Sequence, residues 1–570
     1  MAGYYKSAGV YINEQDLSVY SRGNVEVGAA IVGPTVKGAA LFPTVVTNYD
    51  EYLTLFGSTF QSGSDYYEYL TSISAREYFN NGGKSLLVVR VMSGSYANAR
   101  STVTTPTGSN AFTLEVLSDG AIMNNSGSEI ANSSGSLVSG SVNNIRWEVG
   151  NVNTKTGTFS LLLRRGDDNS RRKIVLETWN NLSLDPNSSD YISARIGDAD
   201  YQYVSSDSML QITGSYVNKS AYVRVASVTS KTPNYLDNYG TAKNEYTSSL
   251  PASGSGSFTG GSDGTVSHPM NFFQNISSTN SQGFTPNTSA YDAALSLISN
   301  KDEYQFDLLL ITGITSTTHP LVVEKALAVV EARQDCLLII DPTRYGDSPT
   351  DATGQATGFN SNYAAMYYGW VQLKNSNLNS AVWCPPSTVI GGMIAYSDSV
   401  SEAWFAPAGF NRGGLPNVIQ VERKLSQTVR DTLQENNVNP IATFPNNGVV
   451  VWGQKTLQRQ ATSTDRINVR RLLIKAKRFV TGVANNLVFE QNTNATRNLF
   501  LSRVNPFFEG VQQKQGLYGF QVIMDETNNS PDTIDRGVLY GQIYIKPTRT
   551  AEFILVDFTI TPSGAVFGNV

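Results

Sequence analysis

The sequence has few of the groups that carry metal or redox chemistry. Its 570 residues include two cysteines and two histidines. Cys336 and Cys384 lie in apolar stretches and are predicted to be buried thiols rather than a disulfide. His268 and His319 belong to no His/Cys cluster with zinc-ligand spacing, and no Walker A pattern occurs. We therefore expect no metal and no other cofactor.

Charge and long apolar runs are also scarce. Charged residues make up 16% of the chain, against about 25% in an average globular protein. The net charge of −5 argues against direct binding of nucleic acid by the chain as a whole. No apolar run approaches the roughly 18 residues of a membrane span, and the N-terminus lacks the apolar core of a signal peptide. We expect synthesis in a cytoplasm and no membrane insertion.

Candidate catalytic residues are weak. The Gly-Asp-Ser-Pro run at 346–349 resembles the start of a serine-protease nucleophile loop, but no Gly-Gly follows it. His319 precedes a proline at a helix start, where capping or packing is the simpler role. The acidic runs at 167–169 and 525–527 lack the spacing of a calcium loop and are better explained as turns. The sequence therefore predicts no catalytic and no metal-binding residues.

Hydrophobic patterns predict an α/β core built from both ends of the chain. Residues 25–94 read as strand, helix and strand, with the helix over SDYYEYLTSISAREYFNNGG (64–83). Residues 291–457 return to this pattern: FDLLLITG, a helix over HPLVVEKALAVVEARQD, and CLLIIDPT form a βαβ unit with parallel strands. Residues 417–438 are predicted to hold a further helix.

The intervening residues 95–290 have a different character. Short strands such as AFTLEVL and GTFSLLLRR alternate with turns rich in Ser, Asn and Gly. This pattern predicts one or two inserted β-rich domains. Residues 247–268, TSSLPASGSGSFTGGSDGTVSH, are predicted to be a flexible loop from their composition.

Residues 458–550 are predicted to contain two helices followed by strands. The first helix runs from about Arg466 to Val483, with Asp465 as its cap, and the second from about Asn494 to Gly510. The first is strongly basic outside its apolar stripe. That charge is consistent with a solvated surface, with nucleic acid, or with an acidic protein partner. No aromatic residues interleave with the basic ones, which disfavours nucleic acid.

Both ends of the chain carry short adhesive strands. GVYIN (9–13) lies in a polar arm at 1–24, and TAEFILVDFTITPSG (550–564) leads into a second arm at 551–570. Apolar residues that alternate along a strand need partner strands and a cover. The candidate pairing residues are Val10, Tyr11, Ile12, Asn13, Phe553, Ile554, Leu555, Val556, Phe558 and Ile560.

Several stretches carry a resemblance to a known family. They include SAGVYINEQDLS (7–18), YFNNGGKSLLVVRV, WFAPAGFNRGGL, VFEQNTNATRNLF, GLYGFQVIMDETNN and IYIKPTRTAEFILVDFTITPSG. In this order they resemble contractile-tail sheath proteins, and most closely the long sheath proteins of T-even-type (myovirus) bacteriophages. Ala8 departs from the family pattern, which usually has proline there.

The resemblance implies a mechanical role. The core at 25–94 and 291–457 would be a subtilisin-like α/β fold, and residues 458–550 a C-terminal sheath domain. Subunits would polymerise as stacked six-membered rings around a tail tube protein, with baseplate and tail terminator proteins as further partners. The arms would donate strands to neighbouring subunits. The protein would be assembled in the host cytoplasm and belong to the contractile tail of the virion.

The resemblance also suggests which residues face the tube, since tube proteins are often acidic outside. The candidates are the basic residues of the two C-terminal helices, namely Arg470, Arg471, Lys475, Lys477, Arg478, Arg497, Arg503 and Lys514. Three alternatives remain open: the sheath of a bacterial contractile injection system, a hydrolase on a subtilisin-like fold, and a surface adhesin built from the β-rich insert.

Overall fold

The computed structural model describes residues 27–62, 65–92, 94–125, 141–168, 172–264, 276–282 and 288–552. The strands of these ranges, in chain order, are β1 Val27–Gly33, β2 Thr44–Val46, β3 Thr59–Ser62, β4 Asp65–Glu68, β5 Leu86–Arg90, β6 Tyr96–Thr104, β7 Asn110–Asp119, β8 Ile145–Asn153, β9 Thr158–Arg165, β10 Val175–Ser183, β11 Asp200–Val204, β12 Met209–Thr213, β13 Val223–Val228, β14 Gly254–Ser257, β15 Ser262–Asp263, β16 Phe306–Thr315, β17 Leu337–Asp341, β18 Ala364–Tyr368, β19 Val371–Asn375, β20 Ser380–Cys384, β21 Val418–Val421, β22 Val438–Phe444, β23 Gly448–Val451, β24 Leu517–Ile523 and β25 Gln542–Pro547.

The helices complete the described secondary structure. In chain order they are α1 Tyr49–Phe56, α2 Leu70–Asn80, α3 Ile192–Ile196, α4 Asn244–Thr247, α5 Thr288–Leu297, α6 Pro320–Arg333, α7 Pro349–Ala356, α8 Ser387–Val400, α9 Gly409–Arg412, α10 Gln427–Glu435, α11 Ile467–Asn485, α12 Asn494–Gln513 and α13 Pro531–Asp535. Across the described ranges, none of these helices has the length and apolarity that a membrane crossing requires.

The central sheet joins the two ends of the chain. Its eight strands run in the order β2-β5-β1-β16-β17-β18-β22-β23. β1 lies between β5 and β16 and pairs in parallel with both, so residues 27–33 contact a strand that starts at Phe306. The next pairs, up to β22, are also parallel, and β2 and β23 add antiparallel edges. The predicted mixed α/β fold is confirmed; its likeness to subtilisin stays a prediction.

Helices cover both faces of this sheet, as a largely parallel sheet requires. One apolar cluster lies between the sheet and helices α1, α2 and α8, and includes the fully buried Leu310 and Tyr367. A second cluster lies between the other face and helices α5, α6, α7 and α10, and includes Leu309 and Met366. Adjacent residues of β16 thus point to opposite clusters, which follows from the alternation of side chains along a strand.

The region between β5 and β16 forms a β-sandwich. One sheet has the order β10-β9-β8-β14 and the other β13-β7-β6-β15. Their inner faces share one apolar cluster, in which the rings of Phe112 and Phe159 stack with centroids 5.7 Å apart. The Trp147 indole links the two sheets by donating to Ser101 Oγ at 2.8 Å.

The sandwich region is joined to the central sheet at one edge. At its start, the buried Arg90 donates from Nη1 to the carbonyl of Asp119 at 2.8 Å, and Asp119 accepts from the Ala40 amide at 2.7 Å. At its end, Gln282 accepts from the Leu70 amide at 2.7 Å, and Ser281 donates to the carbonyl of Gly313 near the end of β16. Both junctions therefore lie at the carboxyl edge of the parallel strands.

One predicted helix was too long. The segment predicted as a helix over 64–83 contains β4, which pairs with β3, and α2 starts only at Leu70. Aromatic residues favour pairing at this point, where the Phe60 and Tyr67 rings lie 5.8 Å apart. The helix predicted to lie within 417–438 is confirmed as α10, which starts at Gln427 because Val418–Val421 pair as β21 with β19.

The loop predicted over 247–268 was also wrong in part. Residues Gly254–Ser257 form β14, which pairs antiparallel with β8. Gly256 lies opposite Trp147, and a Cβ placed at Gly256 would come within 2.5 Å of the indole Cζ2. A small residue is required here because the tryptophan ring covers the strand, so composition alone misled the prediction.

This close approach yields a matched pair of glycine substitutions. We expect Gly256→Ala to destabilise the sandwich by about 1–3 kcal/mol, because the Trp147 ring must shift out of its packed position. Gly254→Ala is the control, since a Cβ there meets nothing within 4 Å. Hydrogen exchange at the amides of β8 and β14 is the measurement. Equal exchange rates in the two variants would contradict the packing account.

Candidate protein interface in the C-terminal unit

The last described elements form a unit of their own, which we call the C-terminal unit (467–547). Helices α11 and α12 pack with the β24–β25 hairpin around one apolar cluster. Its buried members are Trp404, Leu472, Ala476, Phe500, Val504, Phe508, Val511, Leu517 and Met524. The stacked rings of Phe479 and Phe507, 4.1 Å apart, join the two helices. Trp404 belongs to the preceding part of the chain and connects the unit to it.

Helix α11 begins differently from the prediction. Asp465 does not cap it; Asp465 ends a short 3₁₀ turn at Ser463–Asp465, and Arg466 occupies the N-cap position without a side-chain capping bond. The Asp465 carboxylate instead pairs with Arg466 Nη1 at 3.0 Å. Helix α12 extends to Gln513, three residues beyond the predicted end.

Two arginines of α11 are buried against other parts of the chain. Arg471 is 5% exposed and binds the Asp398 carboxylate on α8, with Nη1 to Oδ1 at 2.9 Å. Burial lowers the pKa of the Arg471 guanidinium, but the neighbouring Asp398 carboxylate raises this pKa above its ordinary value. Arg470 is equally buried and stacks on the Tyr363 ring, 4.2 Å from its centroid.

Arg478 makes the third contact between α11 and the preceding part of the chain. Its Nη1 lies 2.5 Å from the carboxylate of Asp307 in β16. Its Nη2 donates to the carbonyls of Phe306 at 3.0 Å and Asp335 at 3.2 Å. The basic face of α11 therefore docks the C-terminal unit onto the ends of β16, α6 and α8.

A second group of basic residues remains accessible. Lys475 and Lys514 share one carboxylate, that of Glu402, and their side chains are 47% and 62% exposed. Partial burial raises the pKa of Glu402, but hydrogen bonds from Lys514 and Lys475 lower it, so that the pKa lies below its ordinary value. Lys477 is exposed and contacts the Tyr363 hydroxyl at 3.1 Å. Two ammonium groups around one carboxylate leave a positive surface.

Helix α12 shows the same division. Arg497 is 4% exposed and donates to the side-chain oxygens of Asn494 and Asn492 at 3.1 and 3.4 Å, whereas Arg503 is exposed. The prediction that these basic residues face a tube protein stays a prediction. Arg470, Arg471 and Arg497 are already enclosed by the chain's own groups. The accessible members are Lys475, Lys477, Arg503 and Lys514.

The β24–β25 hairpin presents a different kind of surface. Over residues 27–552, with their gaps, these two strands pair only with each other, so each has one edge without a partner strand. Tyr518 and Tyr544 are 67% and 55% exposed on it. The predicted pairing residues Val10–Asn13 and Phe553–Ile560 lie outside the described residues. Unpaired strand edges of this kind are places where another strand can add.

The weak catalytic candidates have structural roles. Ser348 caps α7 in a capping box, donating its hydroxyl to Asp351 and accepting from the Asp351 amide. His319 is buried at the start of α6 with Nδ1 2.7 Å from Thr318 Oγ1, and burial lowers its pKa to about 4. Cys336 and Cys384 are buried free thiols, as predicted.

The acidic runs serve local structure. Asp168 forms a two-point ion pair with Arg164, at 2.7 and 3.0 Å. Asp525 accepts from the amide of Thr527 at 2.9 Å, which is turn geometry. Within the described ranges, no three His, Cys, Asp or Glu side chains come close enough to hold a metal ion.

One contact had no signal in the sequence. Arg466 binds Glu552 with two hydrogen bonds, although 86 positions separate them. Gln454 donates to Thr550 Oγ1 and to Glu552, which lie 96 and 98 positions further along the chain. Helical or strand periodicity relates only positions that are close in sequence. It therefore cannot predict a tertiary contact of this kind.

Comparison with known proteins agrees with this architecture. Residues 286–457 match the model of the phage tail sheath protein central domain, and residues 459–561 match that of the phage tail sheath C-terminal domain. The tail sheath protein of Vibrio phage KVP40 is 33% identical over 283 residues, and that of Enterobacteria phage T4 is 31% identical over 277. Each alignment covers 45% of this chain, and 41% and 42% of those proteins, respectively.

Solved structures show the same fold over nearly the whole chain. A sheath tail protein from Listeria innocua matches with a TM-score of 0.53 at 11% identity, covering 92% of this chain and 96% of its own. The helical sheath of the anti-feeding prophage in its contracted state matches with a TM-score of 0.50 at 17% identity, covering 97% and 98%. At these identities the likeness concerns the fold alone.

Two adjoining matches, first to the central and then to the C-terminal domain of phage tail sheath proteins, cover residues 286–457 and 459–561, on a fold that sheath subunits share. The chain spans about two-fifths of the length of the curated phage relatives that it matches.

The docking of α11 can be tested with two methionine substitutions. We expect Arg471→Met to cost about 2–3 kcal/mol, because a buried pair is broken while water still screens the part-exposed Asp398. Lys475→Met should cost less than about 1 kcal/mol, because its pair with Glu402 is exposed. Urea unfolding of the full chain and hydrogen exchange of α11 measure the difference. A larger loss from Lys475→Met would refute this account of docking.

Proposed function

We propose that this chain is the structural subunit of a contractile phage tail sheath. Subunits polymerise as a helical cylinder of stacked six-membered rings around the tail tube. Contraction of the cylinder drives the tube through the host envelope for genome delivery. The observation that carries the proposal is the succession of central and C-terminal sheath domains over residues 286–561. The subunit acts in the virion tail after assembly in the host cytoplasm.

Strand donation supplies the connections between subunits. The arms at 1–24 and 551–570 add strands to the sheet of a neighbouring subunit, and the unpaired edges of the β24–β25 hairpin accept them. Backbone hydrogen bonds then close edges that would otherwise pair at random. A head-to-tail contact of this kind does not close on itself, so it propagates as a helix.

The accessible basic surface of the C-terminal unit serves a second contact. Lys475, Lys477, Arg503 and Lys514 would meet an acidic tube protein. The buried arginines hold the C-terminal unit against the central sheet, so the exposed lysines keep a defined position. Exposed ion pairs are weak individually, below about 1 kcal/mol each, which lets the sheath release the tube during contraction. Baseplate and tail terminator proteins bind at the two ends of the cylinder.

The role is mechanical rather than catalytic. Ser348 and His319, the weak catalytic candidates, take part in helix capping and core packing. Energy for contraction would be stored in the assembled extended state, which the contacts to tube and baseplate hold metastable. Contraction would then move subunits as rigid bodies, with the arms as hinges.

Electron microscopy of the purified chain tests strand donation. We expect striated hollow tubes from the full chain above a threshold concentration, alone or with the tube protein as template. Variants lacking residues 1–20 or residues 553–570 should stay monomeric, because each lacks one donated strand. Tubes of normal length from both truncated variants would refute strand donation. Failure of the full chain to polymerise even on the tube protein would refute the proposed function.

Charge reversal tests the contact with the tube. We expect Lys475→Glu/Lys477→Glu to abolish assembly on the tube protein, because four units of charge change at the accessible surface. The control is Lys155→Glu/Lys231→Glu, which makes the same change at two exposed positions of the sandwich region. Cosedimentation with the tube at low and moderate salt is the measurement. Unaltered cosedimentation of the first variant would remove the basic surface from the proposal.

A further inference from the structure

The segment after β25 is tied to the core at three points. The Thr548 amide donates to the carbonyl of Gly516 at 3.1 Å. Gln454 Nε2 donates to Thr550 Oγ1 at 2.7 Å and to Glu552 Oε1 at 3.1 Å. The Arg466 guanidinium binds Glu552 through two parallel bonds, Nε to Oε1 at 2.7 Å and Nη2 to Oε2 at 2.8 Å.

Backbone pairing sets the positions of the two residues that hold this segment. Lys455 forms an antiparallel bridge with Arg466, and the Ile467 amide donates to the carbonyl of Gln454 at 2.8 Å. Gln454 follows the edge strand β23, and Arg466 directly precedes α11. The backbone that carries the side chains binding Thr550 and Glu552 is therefore connected both to the central sheet and to α11.

The position of Arg466 makes sense only with carboxylates beside it. A cation at the N-terminus of a 19-residue helix is unfavourable, because that end carries partial positive charge. Partial burial lowers the pKa of Arg466, but Glu552 and Asp465, which both contact its guanidinium, together raise this pKa above the ordinary value. The Glu552 carboxylate also lies on the favourable side of this helix dipole.

We propose that Arg466, with Gln454, is the anchor that fixes where and in which orientation the C-terminal segment leaves its own subunit. This inference rests on the proposed function, in which residues 551–570 are donated to a neighbour. In an extended chain, Thr550 and Glu552 share one face. The sequence continues the alternation with apolar residues at 554, 556, 558 and 560. By holding Glu552, Arg466 sets which face of the donated strand is presented to the neighbour and how far the strand extends from its own subunit. Arg466 is therefore a positioning residue.

The rate of tryptic cleavage after Arg549 measures, in the monomer, how firmly the anchor holds the segment. Arg549 is exposed and lies between two of the three ties, whereas the bond after Lys546 precedes a proline and resists trypsin. We expect Arg466→Met and Glu552→Gln each to raise the cleavage rate about fivefold, because the segment opens more often. The double variant should show no further rise, since both changes remove the same pair.

A matched ion pair in the same unit is the control. Asp532 on α13 pairs with Arg536, which follows the helix as its C-cap; their side chains are 77% and 70% exposed, and neither contacts residues 548–552 in any described bond. Arg536→Met should leave cleavage after Arg549 at the wild-type rate. Unchanged cleavage in Arg466→Met and Glu552→Gln, or additive effects in the double variant, would overturn the anchor.

Assembly separates the anchor from the proposed function. We expect the concentration at which tubes form to rise at least several-fold for Arg466→Met and to stay at the wild-type value for Arg536→Met. Faster cleavage with an unchanged assembly threshold would overturn the positioning role while leaving the sheath function intact. Absence of tubes from the wild-type chain, even on the tube protein, would overturn the sheath function, and cleavage would then decide on the anchor alone.

Discussion

The parallel pairing of β1 with β16 is the contact on which the rest of the structure depends. It joins residues 27–31 to residues 306–310 and places β1 between two parallel partners. Both helical layers pack against the sheet that this pairing completes. Contacts so distant in sequence are slow to form, because a long loop must close before they are made. The sandwich region makes up most of that loop and has a core of its own.

The basic residues of α11 fall into two groups. Arg470, Arg471 and Arg478 are held by Tyr363, Asp398 and Asp307, while the lysines of the same helix stay accessible. The planar guanidinium suits enclosed multi-point contacts, and the flexible, strongly hydrated ammonium suits a position in contact with water. The division between arginine and lysine therefore follows the division between docking inside the chain and exposure to solvent.

Local periodicity predicted part of the elements, because burial of one face leaves a repeat in the sequence. The strands β1, β16 and β17 and the helices α6 and α11 were found in this way. Prediction from the sequence failed where a tertiary contact overrides local preference. Gly256 lies in a strand beneath the Trp147 ring, and the position of Arg466 is explained by its contact with Glu552. The basic helix was recognised, but burial of Arg471 depends on where α8 places Asp398. No repeat encodes such a meeting.

The two junctions of the sandwich region have an evolutionary consequence. Arg90 holds its entry and Gln282 its exit, both at the carboxyl edge of the parallel strands. A module whose two ends return to the same edge is a very long strand-to-helix connection, which can be enlarged, exchanged or shortened while every strand of the central sheet keeps its neighbours. The architecture thus separates what must be inherited unchanged from what is free to diversify.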